Sequence, residues 1–489
     1  MRRRVALFSL VSLMAVACAL GPDYKRPTIV TPETWREAAA EARTIADIPW
    51  WELFQDERLS EVITIALAEN KDLKIAVERI EEARARYGFT KADLFPKVDL
   101  SATGGGIRFS GGSLTHTPGG DRPDRGPIET EIYAVGTGVS WEIDFFGRIR
   151  RATEAQLALL LSSEEARRSV VITLVADVSQ AYVELRDLDR RLGIARRTLQ
   201  SNREYVELAR LRFENGYTSE LDWRQAEAEF QRTQVKVHDL ERLVVQKENE
   251  LSVLLGRNPA GIPRGRPVDA LPVPPEVPAG LPSELIERRP DIWAAEQRLI
   301  AANARIGEAK AMLFPRISLT ASVGYTSTDL DDLLDWGSSG TWTVLGGLTQ
   351  PIFHAGQNLR RIEVTESRQR QSLYEYERTI LQALREVDDS LVGYRKAREQ
   401  LVSQRERVEA ERKVLELADL RYREGVAAYL EVLDAQRSLF GAELDEAQAV
   451  GDQLTALIQL YKALGGGWSG EPPPPRTPGA TATPVAPPA

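Results

Sequence analysis

Between Ile352 and Glu471 the chain contains no proline, and most of the intervening residues are Leu, Ala, Glu, Arg, Gln and Val. Proline inside a helix costs about 3 kcal/mol, so a run this long without one permits helices far longer than a compact core requires. One interruption falls within it, at Arg423-Glu424-Gly425, where glycine can adopt the left-handed conformation that closes a helix. Beyond it Leu433, Phe440, Leu444, Ala447, Val450, Leu454, Leu457 and Tyr461 recur at steps of three, four or seven, a coiled-coil seam. The stretch from Gly356 to Leu464 therefore predicts two long antiparallel helices joined by a tight turn.

The same hairpin is written twice. Glu207-Leu208-Ala209-Arg210-Leu211-Arg212-Phe213-Glu214-Asn215-Gly216 matches Glu416-Leu417-Ala418-Asp419-Leu420-Arg421-Tyr422-Arg423-Glu424-Gly425, and Leu221 and Ala226 then fall on Leu430 and Ala435 without a gap. Upstream, Leu94-Phe95-Pro96-Lys97-Val98-Asp99-Leu100-Ser101-Ala102 matches Leu313-Phe314-Pro315-Arg316-Ile317-Ser318-Leu319-Thr320-Ala321. Gly147 and Gly356 each open a proline-free run. Composition alone can make two helices look alike, but three matches in one order, two of them outside helix interiors, indicate a tandem duplication.

After Pro315 the period changes to two: Ile317, Leu319, Ala321, Val323 and Tyr325 alternate with Arg316, Ser318, Thr320, Ser322 and Gly324. Val98, Leu100 and Ala102 against Asp99, Ser101 and Thr103 start the first copy. Return strands carry Tyr133, Val135, Val139 and Trp141 in one copy, and Trp342, Val344 and Leu348 in the other. Small polar residues on one face suit a water-filled lumen, and strands of about 9–11 residues can cross a bilayer. Irregular loops are expected at Gly104–Pro127, rich in Gly, Asp and Pro, and at the acidic Thr326–Gly340. The rival reading is a soluble sandwich of half-buried strands. Four strands cannot close a barrel, and an open edge in lipid leaves backbone groups unpaired at several kcal/mol each, so the membrane reading requires the chain to join copies of itself. From Phe146 to Glu214 is roughly 70 residues, or about 100 Å of helix, a length suited to a conduit.

At the N-terminus, Arg2-Arg3-Arg4 followed by Val5 to Val16 reads as the charged and apolar parts of a secretory signal. Ala15-Val16-Ala17-Cys18 resembles a bacterial lipobox, with Ala15 where leucine is usual, and Ala19 after the cysteine permits export to the outer membrane. More than one acyl chain makes a lasting anchor, at about 0.8 kcal/mol per buried methylene. An ordinary signal peptide with an incidental cysteine is the blander reading. Cys18 is the sole cysteine, so no intrachain disulfide can form. Prolines extend Gly21 to Pro27; Trp35, Trp50, Trp51 and Phe54 suggest short, partly buried elements, and one helical stretch is expected from Leu59 to about Tyr87. The divisions are a signal peptide (1–17), a lipidated segment (18–57), a first repeat (58–256), a linker (257–289), a second repeat (290–464) and a disordered Gly/Pro/Thr/Ala-rich tail (465–489).

A net charge of −9 opposes nucleic-acid binding, which needs a basic face. Beyond the N-terminus no run of about 18 apolar residues predicts a membrane-spanning helix. His116, His238 and His354 share no metal-ligand spacing, and the carboxylates read as helix-surface partners of Arg and Lys, so neither an enzyme nor a cofactor is expected.

With Gly21-Pro22-Asp23-Tyr24-Lys25-Arg26-Pro27, Trp141-Glu142-Ile143-Asp144-Phe145-Phe146-Gly147-Arg148, Glu287-Arg288-Arg289-Pro290-Asp291, both Leu-Phe-Pro turns and Tyr429-Leu430-Glu431-Val432-Leu433-Asp434-Ala435-Gln436, the chain resembles the TolC family of outer-membrane efflux channels, in its lipoprotein, multidrug-efflux branch. The resemblance covers nearly everything from Cys18 to Gly467. It implies an α+β membrane protein: a homotrimer with a twelve-stranded outer-membrane β-barrel continuous with a twelve-helix periplasmic barrel. It also implies docking to a periplasmic adaptor protein and an inner-membrane pump. Pro351-Ile352-Phe353-His354-Ala355-Gly356 departs from the Asp-Gly-Gly that follows the phenylalanine in many members, which puts local helix capping in question.

Gly216 and Gly425 mark the hairpin turns, and Leu430 and Asp434, four apart, share a helix face just past the second. In the family the positions matching Leu430 and Asp434 line the narrow periplasmic opening, with Glu431 matching a further acidic position. Three copies of Asp434 at about 7 Å would repel by roughly 0.6–2.4 kcal/mol per pair, depending on dielectric. Read from sequence alone, Asp434 is an ordinary exposed carboxylate. The first copy has Gln225 in its place and Asp222 for Glu431, so the two hairpins are not equivalent. A structural coiled-coil envelope lipoprotein is the functional alternative; it accounts for helices and anchor but not for duplicated alternating strands.

Overall fold

The duplication reappears as a repetition of element lengths in the computed structural model, which describes residues 19–35, 55–109, 128–271 and 282–466. In chain order these are α1 (Glu57–Glu69), α2 (Lys71–Ala92), β1 (Lys97–Phe109), β2 (Ile128–Ile143), α3 (Arg148–Glu214), α4 (Glu220–Leu254), α5 (Pro282–Arg288), α6 (Pro290–Ala311), β3 (Arg316–Ser327), α7 (Trp336–Ser339), β4 (Gly340–Thr349), α8 (Gln357–Arg423) and α9 (Tyr429–Ala463). Helices α2 and α6 have 22 residues each, α3 and α8 have 67, and α4 and α9 have 35. Three glycines at positive φ in the first copy recur 209 residues later, 147 to 356, 216 to 425 and 256 to 465. The chain divides into two compact units, one comprising residues 1–27, 80–163 and 295–376, the other 28–79, 164–294 and 377–489.

The first unit carries one antiparallel sheet in the order β1-β2-β3-β4, so β1 and β4 each keep an unpaired edge. Its register places Ala102, Val135 and Tyr325 in one row, Val139, Ala321 and Val344 in another, and Ile143, Ile317 and Leu348 in a third. The opposite face holds Ser101 beside Gly136 and Gly324, and Ser322 between Gly138 and Thr343. Period-two alternation in single strands thus becomes one apolar face and one face rich in Gly, Ser and Thr. Many of the larger apolar side chains, Val98, Leu100, Trp342, Val344 and Leu348 among them, are exposed in the single chain. Aromatic rings stand at both ends of the apolar face. Trp336 meets Tyr325 edge-on at 5.5 Å near the α7 loop; Phe146 stacks on Phe314 at 4.9 Å near the helices, where the Trp141 indole donates to the Leu94 carbonyl at 2.9 Å. Among the described residues no helix is long and apolar enough to cross a membrane.

Two expectations change here. Strand β1 runs on to Phe109 through the Gly104-Gly105-Gly106 segment expected to be loop. The ladder continues by pairing Gly104, Gly105 and Gly106 with Tyr133, Ile132 and Glu131 of β2, and a Cβ on Gly104 would lie 3.3 Å from the Tyr133 ring. The helical stretch from Leu59 breaks at Asn70, whose side chain accepts from the Leu73 amide at 2.9 Å and donates to the Leu254 carbonyl at 2.8 Å. Trp35 is buried, while Trp50, Trp51, Phe54, most of the first loop, and the tail from 467 lie outside the described residues.

At the junctions the two copies differ. The Asp144 carboxylate accepts from the Ile149 and Arg150 amides at 3.0 and 2.8 Å and caps α3. Phe353 takes its place 209 residues on; beside His354, no side chain among the described residues caps the first turn of α8. In the second unit, Arg289 of the Glu287–Asp291 motif is clasped by Asp291 at 2.7 and 3.0 Å and donates to Glu386 at 2.7 Å and to the Ala463 carbonyl at 3.1 Å. One guanidinium thereby ties the start of α6 to α8 and to the end of α9, and the segment expected to be linker holds α5.

Candidate functional site at the hairpin turns

Both hairpins close by the same pair of backbone bonds. The Gly216 and Tyr217 amides donate to the Phe213 and Arg212 carbonyls at 2.9 and 2.8 Å; those of Gly425 and Val426 donate to Tyr422 and Arg421 at 3.1 and 2.9 Å. This closure needs a left-handed residue, and φ is +77° at Gly216 and +75° at Gly425. Space is open around both positions, so backbone conformation alone selects glycine.

Past the second turn, α9 sorts its side chains sharply. Tyr429, Val432, Leu433, Ala435 and Gln436 are buried, whereas Leu430, Glu431 and Asp434 are exposed. Glu431 reaches Arg421 at 3.7 Å, and Asp434 has no hydrogen-bond or ion-pair partner among the described residues. Leu430 and Asp434 therefore share the outward face that their spacing predicts. In the first hairpin Asp222 and Gln225 are half-buried. Tyr217, Leu221, Val426 and Leu430 add exposed apolar surface at both turns. Cys18 lies outside the described residues.

Behind that face the hairpins pack on small and aromatic residues: Ala209, Ala226, Ala418 and Ala435 let the backbones approach, while Tyr422, Tyr429, Val432 and Leu433 fill the interior. The Tyr422 and Tyr429 ring centroids are 5.6 Å apart, and the Arg212 guanidinium lies 4.6 Å from that of Tyr422. Close to the turns, two polar links cross from one hairpin to the other. The Tyr205 hydroxyl of α3 donates to Asp419 of α8 at 2.9 Å, and Arg423 holds the same carboxylate at 2.8 Å. Arg437 of α9 donates to Glu229 of α4 at 2.6 Å, with Arg232 adding a bond at 3.1 Å. Burial, and then the bond to Asp419, push the Tyr205 hydroxyl up to about 12, so it stays a donor. These residues were not among the candidates read from the sequence.

The sequence profile of the family described as outer membrane efflux protein matches residues 62–257 and 281–466. Over 476 residues the chain is 39% identical to the probable efflux pump outer membrane protein TtgC of Pseudomonas putida, covering 94% of this chain and 96% of that one. It is 34% identical over 465 residues to the probable outer membrane lipoprotein SilC of Salmonella typhimurium, covering 94% and 98%. Among solved structures, the open state of the Neisseria gonorrhoeae MtrE outer membrane channel aligns with a TM-score of 0.82 at 33% identity, over 92% of this chain and 98% of that one.

Proposed function

This chain belongs to the outer membrane efflux protein family of TolC-type channels, and from that footing we propose that three copies complete the outer-membrane conduit of a tripartite efflux system. The observation that carries the reading is the sheet: one face apolar across all four strands, the other rich in Gly, Ser and Thr, and two edges unpaired. Lipid tolerates such strands only when every edge is paired. Three four-stranded sheets joined edge to edge give the twelve-stranded barrel, apolar outside and wet within. A purely structural lipoprotein would have no use for such a sheet. Heat-resistant oligomers with single-channel conductance in planar bilayers are expected of the purified protein; a non-conducting filament would overturn the reading.

Cys18 is the proposed attachment point for acyl chains, in keeping with the similarity to a relative described as a lipoprotein. The turns of both hairpins, with Tyr217 and Leu221 in one and Val426 and Leu430 in the other, are the proposed docking surface for a periplasmic adaptor that couples to an inner-membrane pump. The cargo class is small molecules such as drugs. Leu430, Glu431 and Asp434 are assigned to the periplasmic opening, where three Asp434 carboxylates would form an acidic ring that favours cations and resists closing. Because Gln225 occupies the matching place in the first hairpin, Asp434→Ala should alter conductance and cation preference about severalfold while Gln225→Ala leaves both near wild type. Equal changes in planar-bilayer recordings would remove the assignment.

A further inference from the structure

Ala19 to Pro27 lies along the first unit in a groove built to receive it. The Leu20 amide donates to the Phe146 carbonyl at 3.3 Å, and its carbonyl accepts from Arg151 Nε at 3.1 Å. Arg151 Nη2 donates to Asp23 at 2.8 Å, and Asn303 Nδ2 donates to the Pro22 carbonyl at 2.8 Å. Tyr24 and Arg26 each donate to one oxygen of Glu296 at 3.0 Å. The three groove residues, Arg151, Asn303 and Glu296, are polar and 6–7% exposed. Buried polar groups require partners, and this segment supplies them.

Two glycines fix the fit. A Cβ on Gly307 would stand 2.4 Å from the Leu20 carbonyl oxygen and 2.9 Å from Arg151 Cγ, and a Cβ on Gly21 would stand 2.4 Å from Gly307 Cα. Successive contacts at Gly307, Asn303 and Glu296 meet Gly21, Pro22 and Tyr24, so the segment runs antiparallel to α6 and away from the strand-to-helix junction. At its start, Ala19 Cα would be 2.9 Å from a Cβ on Gly147, just before α3 begins. Ala19, the first residue of the segment, is therefore held at the strand-to-helix junction.

We propose that Ala19–Pro27 is a positioning strap: its docking, and not acylation alone, holds the lipid anchor at the strand-to-helix junction and supports assembly of the channel. The proposal rests on the reading of Cys18 as the acylated residue. Undocked, nine extended residues would let the anchor wander about 30 Å from the end of the strap, and the acyl chains would tether the protein without orienting it. Docked, they enter the leaflet beside the point where β2 gives way to α3, once per chain.

The test is Gly307→Ala in the full-length protein in its host membrane. Alanine is the better helix former, so a loss cannot arise from helix propensity. Trypsin should then cut after Lys25 at least tenfold faster than in wild type, with palmitate incorporation unchanged and heat-resistant oligomer reduced severalfold. Tyr24→Phe combined with Arg26→Ala attacks the same contact from the strap and should act in the same direction. Wild-type protection of Lys25 in both variants would overturn the proposal, as would a loss of oligomer with Lys25 still protected. Absence of palmitate from the wild-type protein would overturn the acylation reading and the anchoring role together, while trypsin protection still decides whether the strap docks.

Discussion

Lysine at Ala321 is expected to abolish heat-resistant assembly and bilayer insertion, whereas lysine at the next residue, Ser322, should leave both within about twofold of wild type. The two positions share strand β3, near its middle, but the register sends them to opposite faces. Ala321 stands between Val139 and Val344, and Ser322 between Gly138 and Thr343. A lysine on the lipid side of a barrel near the bilayer midplane costs about 2–4 kcal/mol, and the three copies of the proposed trimer would bring roughly 6–12 kcal/mol to one assembly, comparable with the stability of a whole domain. A lysine on the lumen side keeps its water and alters ion selectivity instead. The comparison controls for the strand propensity of lysine, because the introduced residue and the strand are the same. Gel migration without heating and planar-bilayer insertion give the readout; equal losses at both positions would mean that the apolar face does not meet lipid.

This contrast could be drawn from the sequence in part, and the reason is physical. Alternation of Ile317, Leu319, Ala321 and Val323 with polar residues carries its own parity, so the faces of β3 were legible before any pairing was known. Gly104 to Gly106 has no side chains to alternate, and the continuation of β1 through them depends on pairing with Tyr133, Ile132 and Glu131 of another strand. Asn70 likewise breaks a helix through a carbonyl 184 residues away. At the hairpin turns, the glycines and the exposed face of Leu430 and Asp434 are local features and could be read. The links of Tyr205 to Asp419 and Arg437 to Glu229 join residues 214 and 208 apart, on helices that carry carboxylates on every side. One signal was available: Glu229 falls in the buried series Ala226, Glu229, Thr233, Val237, Leu240 and Val244 of α4, a seam position where a carboxylate demands a partner.

Those two links make the second large prediction. Tyr205→Phe combined with Arg437→Met should raise the time spent in the widest conductance state about tenfold or more. Each single change should have a smaller effect. Both links join hairpin α3–α4 to hairpin α8–α9 close to the turns, so relative movement of the hairpins there must break them. Phenylalanine keeps the ring against Tyr429 at a centroid distance of 6.4 Å, and methionine keeps an apolar stem, so packing survives while the polar bonds go. A hydrogen bond to a charged group contributes about 1.5–3 kcal/mol. The Arg437–Glu229 pair is worth less because the Arg437 side chain is 37% exposed, and Glu229 keeps Arg232. About 2–3 kcal/mol per chain is then removed, a factor of roughly 30–150 in the balance between joined and separated hairpins before coupling among chains. The Tyr205 link also sets a pH window: because its folded pKa is raised, its stabilisation is full below about pH 10 and is lost as pH rises through about 12. Wild-type gating should therefore lose this restraint only in strong alkali, and the double variant should lack that alkaline transition at any pH. A double variant that conducts and titrates like wild type would place the moving joint elsewhere, leaving the tyrosine-lined interior as rigid packing.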